Sequence, residues 1–263
     1  MIKPKKSLGQ NFLIDNNILN KIIKFSEIKN SNVVEIGPGT GNLTKKIIEQ
    51  KPKSLILIEK DKTLVSNLKN ELKEYNNFNL FHEDILKFDL EKNIKNNSII
   101  VGNLPYNISS QILVKLIKFN KWLPKYKKLI LMFQKEVADK ISAKYNTAEY
   151  GRLAILRATR LKITSCFNVS SNSFYPVPKV KSTVLVLEPF NNKDFKIKNI
   201  DNLEKVSHIF FSRKRKMINK GFKLLFKNSL DVAKKMKINL SLRPQELKES
   251  EYFQITELFE KQL

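Results

Sequence analysis

The sequence predicts an α/β fold followed by a small all-helical domain. Over the first two thirds of the chain, short apolar runs rich in β-branched residues alternate with amphipathic segments of helix length. This alternation is typical of a parallel sheet covered by helices. The seven predicted strands are 32–36, 54–58, 78–81, 98–101, 128–132, 162–169 and 182–187, and the predicted helices cover about 40–50, 62–74, 109–119 and 135–144.

The helical domain is predicted to begin near residue 190. Residues 188–194 combine a proline with polar residues directly after the last predicted strand, and the pattern beyond them is helical. We therefore assign residues 1–190 to the α/β domain and residues 191–263 to the helical domain.

The composition excludes several classes of protein. The chain has 263 residues, 41% of them hydrophobic, which is enough for one substantial core and a small second domain. No apolar run approaches the ~18–20 residues of a membrane span, and the amino terminus lacks the apolar stretch of a signal peptide, so we expect a cytosolic protein with no membrane partner. The single cysteine, Cys166, excludes an internal disulfide, and with only His82 and His208 besides we expect no metal site.

The charge predicts a polyanionic partner. The chain has 49 Lys and Arg against 25 Asp and Glu, a net charge of +24, which favours nucleic acid. Most of the basic residues are lysines in a chain also rich in Asn and Ile, a bias that genome composition alone can produce, so the arginines are more informative. Five of the six arginines fall in two groups: Arg152, Arg157 and Arg160, and Arg213 and Arg215. We expect the second group to lie on a basic helix of the tail.

A glycine-rich segment connects the first predicted strand to a helix. In residues 35–41, Glu-Ile-Gly-Pro-Gly-Thr-Gly, Gly37 and Gly39 allow a sharp turn and a close approach of the backbone to a ligand. A dinucleotide site has G-x-G-x-x-G, but here the third glycine comes one residue early and Asn42 takes its place, which counts against NAD. Glu59, at the end of the second strand, can accept hydrogen bonds from the ribose hydroxyls of an adenosyl group. The alternative is an ordinary turn with a solvated glutamate.

Polar residues also end the third and fourth predicted strands. Asp84 could accept a hydrogen bond from a cofactor adenine, although aspartates after strands are common turn formers. In Asn-Leu-Pro-Tyr, residues 103–106, the Asn103 side-chain carbonyl and the Leu104 main-chain carbonyl can accept hydrogen bonds from an exocyclic adenine amine. Tyr106 offers a flat face for stacking on the base. The alternative is a strand-exit turn with a packing tyrosine.

These motifs resemble those of the ribosomal RNA adenine N6,N6-dimethyltransferases, S-adenosyl-L-methionine-dependent enzymes that modify small-subunit rRNA. The resemblance covers nearly the whole chain through five segments in order: 8–13, 35–44, 103–106, 174–180 and 211–216. It implies a Rossmann-like, seven-stranded class I methyltransferase domain before the helical domain. The family's tail motif usually runs R-R-K-T, whereas residues 213–217 here are Arg-Lys-Arg-Lys-Met, so this sequence departs from the family pattern in the tail.

The resemblance also implies roles for single residues. The implied cofactor contacts are Asn11, Leu13, Gly37, Gly39, Glu59, Asp84 and Asn103. Asn103 would also orient the attacking amine, and Tyr106 and Phe174 would stack on the two faces of a flipped adenine. The implied RNA contacts are Arg213, Lys214, Arg215 and Lys216, which the group Arg152, Arg157 and Arg160 could extend.

The implied reaction is dimethylation of two adjacent adenosines in a loop near the 3′ end of 16S rRNA, by a monomer acting on a ribosomal assembly particle. A sister family that methylates large-subunit rRNA and gives macrolide resistance shares the active-site motifs, but segments 5–13 and 211–216 favour the small-subunit enzymes. Two further alternatives are a non-catalytic ribosome assembly factor and a DNA adenine methyltransferase. The intact Asn103 and Tyr106 argue against the first, and the lack of a domain suited to reading duplex DNA argues against the second.

Overall fold

The computed structural model describes residues 4–5 and 8–263, so Lys6 and Ser7 of the amino-terminal motif lie outside the described part. The chain forms two compact units. The first contains the residues up to Ala138 together with Lys162–Pro189, and the second contains Asp139–Leu161 and Phe190–Leu263. The chain passes finally into the second unit at Phe190, next to the expected boundary, but Asp139–Leu161 belongs to the second unit and not to the α/β unit.

The first unit is built on a mixed seven-stranded sheet and also contains a two-stranded sheet. In chain order the strands are β1 (Phe12–Leu13), β2 (Asn32–Ile36), β3 (Ser54–Glu59), β4 (Phe78–His82), β5 (Ser98–Asn103), β6 (Tyr126–Gln134), β7 (Leu161–Val169), β8 (Phe174–Tyr175) and β9 (Ser182–Pro189). The order across the large sheet is β4-β3-β2-β5-β6-β9-β7, while β1 and β8 form a separate antiparallel pair. Strands β2 to β6 are parallel, and β9 is antiparallel to β6. The seven predicted strands are confirmed.

The helices alternate with these strands and then fill the second unit. They are α1 (Asn16–Ser26), α2 (Asn42–Glu49), α3 (Lys62–Glu71), α4 (Leu90–Asn93), α5 (Ser109–Ile117), α6 (Lys135–Ser142), α7 (Arg152–Arg160), α8 (Ile200–Phe211), α9 (Asn219–Leu225), α10 (Ser229–Met236) and α11 (Glu249–Glu260). Asp15 and Asp61 cap α1 and α3 by accepting hydrogen bonds from main-chain N–H groups of the first turn. No helix in residues 4–5 and 8–263 is long and apolar enough to cross a membrane.

Helix α7 explains why Asp139–Leu161 belongs to the second unit. Ala154, Ile155 and Leu156 of α7 are buried, and α7 packs against α8 and α11. In front of α7, the buried Tyr150 ring makes an edge contact with Phe211, with ring centroids 6.2 Å apart. The apolar pattern of α7 is visible in the sequence, but the partner of its buried face is not.

The carboxyl ends of β2 and β5 approach so closely that only glycine fits at residue 102. A Cβ on Gly102 would lie 2.8 Å from the Ile36 carbonyl oxygen, closer than real Cβ contacts allow. We therefore expect Gly102→Ala to force these strands apart and to lower the free energy of unfolding by about 1–3 kcal/mol. Urea unfolding measures this. Gly151→Ala is the matched control, because a Cβ there meets atoms only at 3.8 Å or more. Equal stability of the two variants would contradict the prediction.

Candidate active site

A cavity of about 250 Å³ lies in the first unit at the carboxyl ends of β2, β3, β4 and β5. Its walls are the amino-terminal segment 8–13, the glycine-rich loop 35–43 and the residues that follow β3, β4 and β5. The predicted site residues that line it are Asn11, Leu13, Gly37, Gly39, Glu59, Asp84, Asn103 and Tyr106. The structure thus brings together residues that are up to 95 positions apart in the sequence.

The glycine-rich loop adopts backbone conformations that favour glycine. Gly37 and Gly39 have φ values of 67° and 59°, in the left-handed region. A Cβ on Gly37 would enter the space between this loop and β5, 3.8 Å from the Asn103 carbonyl oxygen, and a Cβ on Gly39 would press against the Phe12 ring at 3.1 Å. Glycine at these positions keeps the cavity open and lets the amino-terminal segment pack over the loop.

Asn42 and Asn103 hold the amino-terminal segment in place through its carbonyl groups. The Asn42 side-chain amide donates to the Leu13 carbonyl oxygen at 2.8 Å, and the Asn103 amide donates to the Asn11 carbonyl oxygen at 2.7 Å. The residue that replaces the third glycine of the dinucleotide pattern is therefore an anchor for the cavity wall. Because a carbonyl oxygen only accepts, Asn103 must turn its NH₂ group towards Asn11, which leaves its Oδ1 as an acceptor for another group.

A second anchor for this segment was not predicted from the sequence. Lys5 and Gln10 both donate to the buried carboxylate of Asp61, with distances of 2.8 and 2.9 Å. Burial alone would raise the pKa of Asp61, but the hydrogen bonds from Lys5 and Gln10 outweigh it, so the pKa lies below its usual range. The charge on Asp61 thus fixes the start of the segment beside α3.

Glu59 lies buried at the end of β3 and connects two loops. Its Oε2 accepts from the Gly39 N–H at 3.2 Å, and its Oε1 accepts from the Asp61 N–H at 2.8 Å. Burial raises the pKa of Glu59. Each carboxylate oxygen has two lone pairs, so both oxygens can accept a further hydrogen bond, as two vicinal ribose hydroxyls would require.

Asp84 lies two residues after the end of β4 and is held by neighbours that the sequence did not reveal. Its Oδ1 accepts from the Leu86 N–H at 2.9 Å, and its Oδ2 lies 2.8 Å from Lys60 Nζ. The hydrogen bond from Lys60 lowers the pKa of Asp84, so its carboxylate stays ionised at neutral pH. Lys115 on α5 donates to the carbonyl oxygens of Leu86 and Phe88, at 2.8 and 2.7 Å, and so fixes this loop.

The two predicted aromatic residues have different environments. The half-buried Tyr106 lines the cavity, and its hydroxyl lies 2.6 Å from the hydroxyl of Ser182, which is fully buried at the start of β9. Burial raises the pKa of Tyr106. Phe174 is 1% exposed, does not line the cavity and belongs to the hydrophobic core. The Phe174 ring therefore lies in the core next to the cavity wall, because Phe174 pairs with Leu13, which lines the cavity, and its stacking role stays a prediction.

A family model described as ribosomal RNA adenine dimethylase matches residues 1–261. The chain belongs to this family. The ribosomal RNA small subunit methyltransferase A of Pelagibacter ubique is 45% identical over 263 residues, covering 98% of each chain. That of Malacoplasma penetrans is 40% identical over 95% of this chain and 90% of its own length.

Solved structures agree with this assignment. A dimethyladenosine transferase from Plasmodium falciparum has a TM-score of 0.81 and 31% identity, covering 95% of this chain and 98% of its own. The 23S rRNA methyltransferase ErmE has a TM-score of 0.69 at 20% identity, over 95% of this chain and 99% of its own, and shares the fold. The adenine dimethylase chain therefore has the Rossmann-like methyltransferase fold.

The adenine dimethylase is an S-adenosyl-L-methionine-dependent methyltransferase, and its cavity fits that cofactor. Gly37 leaves open the space that a side chain would fill, and the buried Glu59 carries lone pairs suited to ribose hydroxyls. The apolar residues of the cavity wall offer surface for an adenine ring; they include Ile58, Leu64, Ile85, Leu86 and Ile108.

The buried Glu35 makes the stability of the protein depend on pH. Burial raises the pKa of Glu35 to about 8, from about 4.5, against the opposing hydrogen bond that Thr44 donates at 2.6 Å. The folded state therefore holds a proton that the unfolded state releases, so the free energy of unfolding falls as the pH rises from about 5 to about 8. Glu35→Gln should flatten this dependence, measured by urea unfolding at several pH values. Parallel pH profiles for the variant and the original protein would contradict this assignment.

The basic residues of the tail lie in a turn and not, as predicted, on a helix. Helix α8 ends at Phe211, and residues 213–216 form the turn before α9, with the Lys216 N–H donating to the Arg213 carbonyl oxygen. Arg213, Arg215 and Lys216 are exposed, while Lys214 donates to the Ala148 carbonyl oxygen. We call residues 213–216 the basic turn.

The other arginine group does not extend an exposed basic surface. Arg152 pairs with Glu204 at 3.1 Å, and Arg157 Nε donates to the Ile141 carbonyl oxygen at 3.2 Å. Burial lowers the pKa of Arg157. Arg160 is half-buried at the end of α7. Helical spacing does bring these arginines onto α7, but Arg152 and Arg157 serve contacts inside the second unit.

Proposed function

We propose that this adenine dimethylase transfers methyl groups to the N6 amines of two adjacent adenosines in a loop near the 3′ end of small-subunit (16S) rRNA. It would act as a cytosolic monomer on an assembly particle and so contribute to ribosome biogenesis. The observation that carries the proposal is the fixed orientation of Asn103 beside Tyr106 in the cavity. Relatives named ribosomal RNA small subunit methyltransferase A, one of them 45% identical, support the choice of substrate.

The chemistry follows from the acceptors around Asn103. S-adenosyl-L-methionine supplies an electrophilic methyl group. The adenine N6 is a weak nucleophile because its lone pair is delocalised into the ring, and Asn103 Oδ1 and the Leu104 carbonyl oxygen strengthen it by accepting hydrogen bonds from its N–H groups. The amine becomes acidic once methylated and loses its proton to water. Residues 103–106 need no strong base, and they contain no His, Cys or Lys.

The target adenine must leave its stack to reach this cavity. The Tyr106 ring offers a stacking face, and its hydrogen bond to Ser182 holds the ring in one orientation. The basic turn offers exposed guanidinium and ammonium groups for phosphates, which position the RNA without reading its sequence. Catalysis rests on alignment of the reacting atoms and on these fixed dipoles.

The alternatives have less support. The large-subunit rRNA methyltransferase ErmE shares the fold at 20% identity, below the 31% of the Plasmodium dimethyladenosine transferase. A non-catalytic assembly factor would have no use for the anchor that aligns the Asn103 amide with Asn11.

The decisive experiment offers the purified protein two substrates with labelled S-adenosylmethionine: small-subunit particles and large-subunit rRNA, both lacking their modifications. The RNA is then digested and the labelled nucleoside identified. We expect N6,N6-dimethyladenosine from the small-subunit particles alone. Label in the large-subunit rRNA would overturn the substrate, and tight particle binding without label would favour an assembly factor.

A further inference from the structure

A loop that no role above uses lies at the same edge of the sheet as the cavity. Residues 176–181 connect β8 to β9, and we call them, together with Tyr175 at the end of β8, the rim loop. Because β9 runs antiparallel to β6, its first residue, Ser182, pairs with Gln134 at the carboxyl end of β6. The rim loop therefore lies at the carboxyl edge of the parallel strands, where the cavity opens.

Both ends of the rim loop are attached to walls of the cavity. At its start, Tyr175 pairs with Phe12, which lines the cavity. At its end, Ser182 forms the 2.6 Å hydrogen bond with Tyr106. The rim loop thus connects a strand paired with the amino-terminal segment to a residue bonded to the Asn-Leu-Pro-Tyr segment.

The side chains of the rim loop combine exposed apolar surface with positive charge. Tyr175 is 47% exposed, Val177 60% and Val180 43%. Lys179 and Lys181 are also exposed, and residues 172–187 contain no Asp or Glu. Flat apolar faces beside ammonium groups suit unpaired nucleotides, whose bases stack on aromatic rings and whose phosphates pair with lysine. A duplex would not offer its base faces to such a surface.

We propose that the rim loop binds the unpaired nucleotides that flank the target adenosine, with a base stacked on Tyr175 and phosphates near Lys179 and Lys181. Tyr175 is the exposed aromatic residue of segment 174–180, and the partner proposed for it is a flanking base, whereas the stacking predicted for the buried Phe174 concerns the target adenine. The proposal rests on the proposed function, because it takes rRNA as the substrate of the adjacent cavity.

The first test compares Tyr175→Ala with Tyr175→Phe. Loss of one stacked base should raise KM for unmodified small-subunit particles about 5- to 100-fold, with kcat within about threefold. Tyr175→Phe keeps the ring and should stay within about twofold of the original protein. Calorimetric titration with S-adenosylmethionine verifies that each variant is folded. Unchanged kinetics of Tyr175→Ala, or equal damage in both variants, would overturn the proposal.

The second test uses salt. Lys179→Ala/Lys181→Ala should bind protein-free small-subunit rRNA more weakly and reduce the slope of log affinity against log salt by about one to two. The control, Lys53→Ala/Lys73→Ala, removes two exposed lysines at the opposite edge of the sheet and should keep the original slope. An unchanged slope for the rim-loop variant would overturn the proposal. Weaker binding to small-subunit particles with unchanged binding to protein-free rRNA would overturn it too, because it would indicate a contact with a ribosomal protein. Failure of the proposed function is distinguishable, because the original protein would then methylate no small-subunit rRNA.

Discussion

Asn103→Ala is expected to lower kcat for methyl transfer by about 10²- to 10³-fold or more. The substitution removes the Oδ1 acceptor that draws hydrogen bonds from the adenine amine, and it also removes the 2.7 Å bond to the Asn11 carbonyl oxygen. RNA affinity should stay within about threefold of the original protein, because the basic turn is untouched. Single-turnover methylation of unmodified small-subunit particles measures the first effect, and filter binding to the same particles measures the second.

Two further variants make this result specific. Asn103→Asp keeps an oxygen acceptor but places a carboxylate against the Asn11 carbonyl, so it should lose most activity as well. Asn79→Ala changes an exposed asparagine on the edge strand β4 and should leave kcat within about twofold. Retention of more than a tenth of the original kcat by Asn103→Ala would contradict the role that we assign to Asn103.

The sheet could be predicted from the sequence because buried parallel strands leave continuous apolar runs. All six residues of β3 are buried, and a short run of this kind between helix-length segments is typical of a strand inside a parallel sheet. The two-residue strands β1 and β8 could not be predicted, because they are too short to show any alternation. They are held from outside, by Asn42 bound to the Leu13 carbonyl and by Ser173 donating to Asp15 at 2.9 Å.

The site was predictable where it depends on strand ends. The carboxyl ends of neighbouring parallel strands meet at one edge of the sheet. The sequence alone therefore places four residues together there: Gly37, Glu59, Asp84 and Asn103. The groups that orient them could not be, since Ser182 lies 76 positions from Tyr106 in the sequence.

The orientation of neighbouring residues was a further limit. Phe174 and Tyr175 are both aromatic, and only the structure shows that Phe174 lies in the core while Tyr175 is exposed.

The basic turn shows how packing overrides helix propensity. Arg and Lys favour helices, which made a helix over residues 213–216 a reasonable prediction. Instead the chain turns after Phe211, so that α9 can pack against Phe210 of α8. The Phe210 and Phe222 rings lie 5.7 Å apart, and a Cβ on Gly221 would come within 2.7 Å of the Phe210 ring. The turn leaves Arg213, Arg215 and Lys216 exposed.

Reversal of charge in the basic turn is expected to have the opposite effect to Asn103→Ala. Arg213→Glu/Arg215→Glu replaces two exposed guanidinium groups by carboxylates that repel phosphates. Affinity for small-subunit rRNA should fall at least tenfold at low salt, and the slope of log affinity against log salt should flatten by about one to two. Once the RNA concentration saturates the variant, kcat should stay within about threefold, because the cavity is unchanged.

The control for this reversal carries the same change in net charge. Lys53→Glu/Lys73→Glu alters exposed lysines at the amino edge of the sheet and should reduce affinity only slightly, through the general field of a chain with a net charge of +24. Equal losses in both double variants would mean that total charge, and not the basic turn, binds the RNA. If Arg213→Glu/Arg215→Glu lost as much kcat at saturating RNA as Asn103→Ala does, the basic turn would act in catalysis as well as in phosphate binding. Asn103→Ala and Arg213→Glu/Arg215→Glu together therefore test whether the basic turn positions the RNA while Asn103 activates the amine.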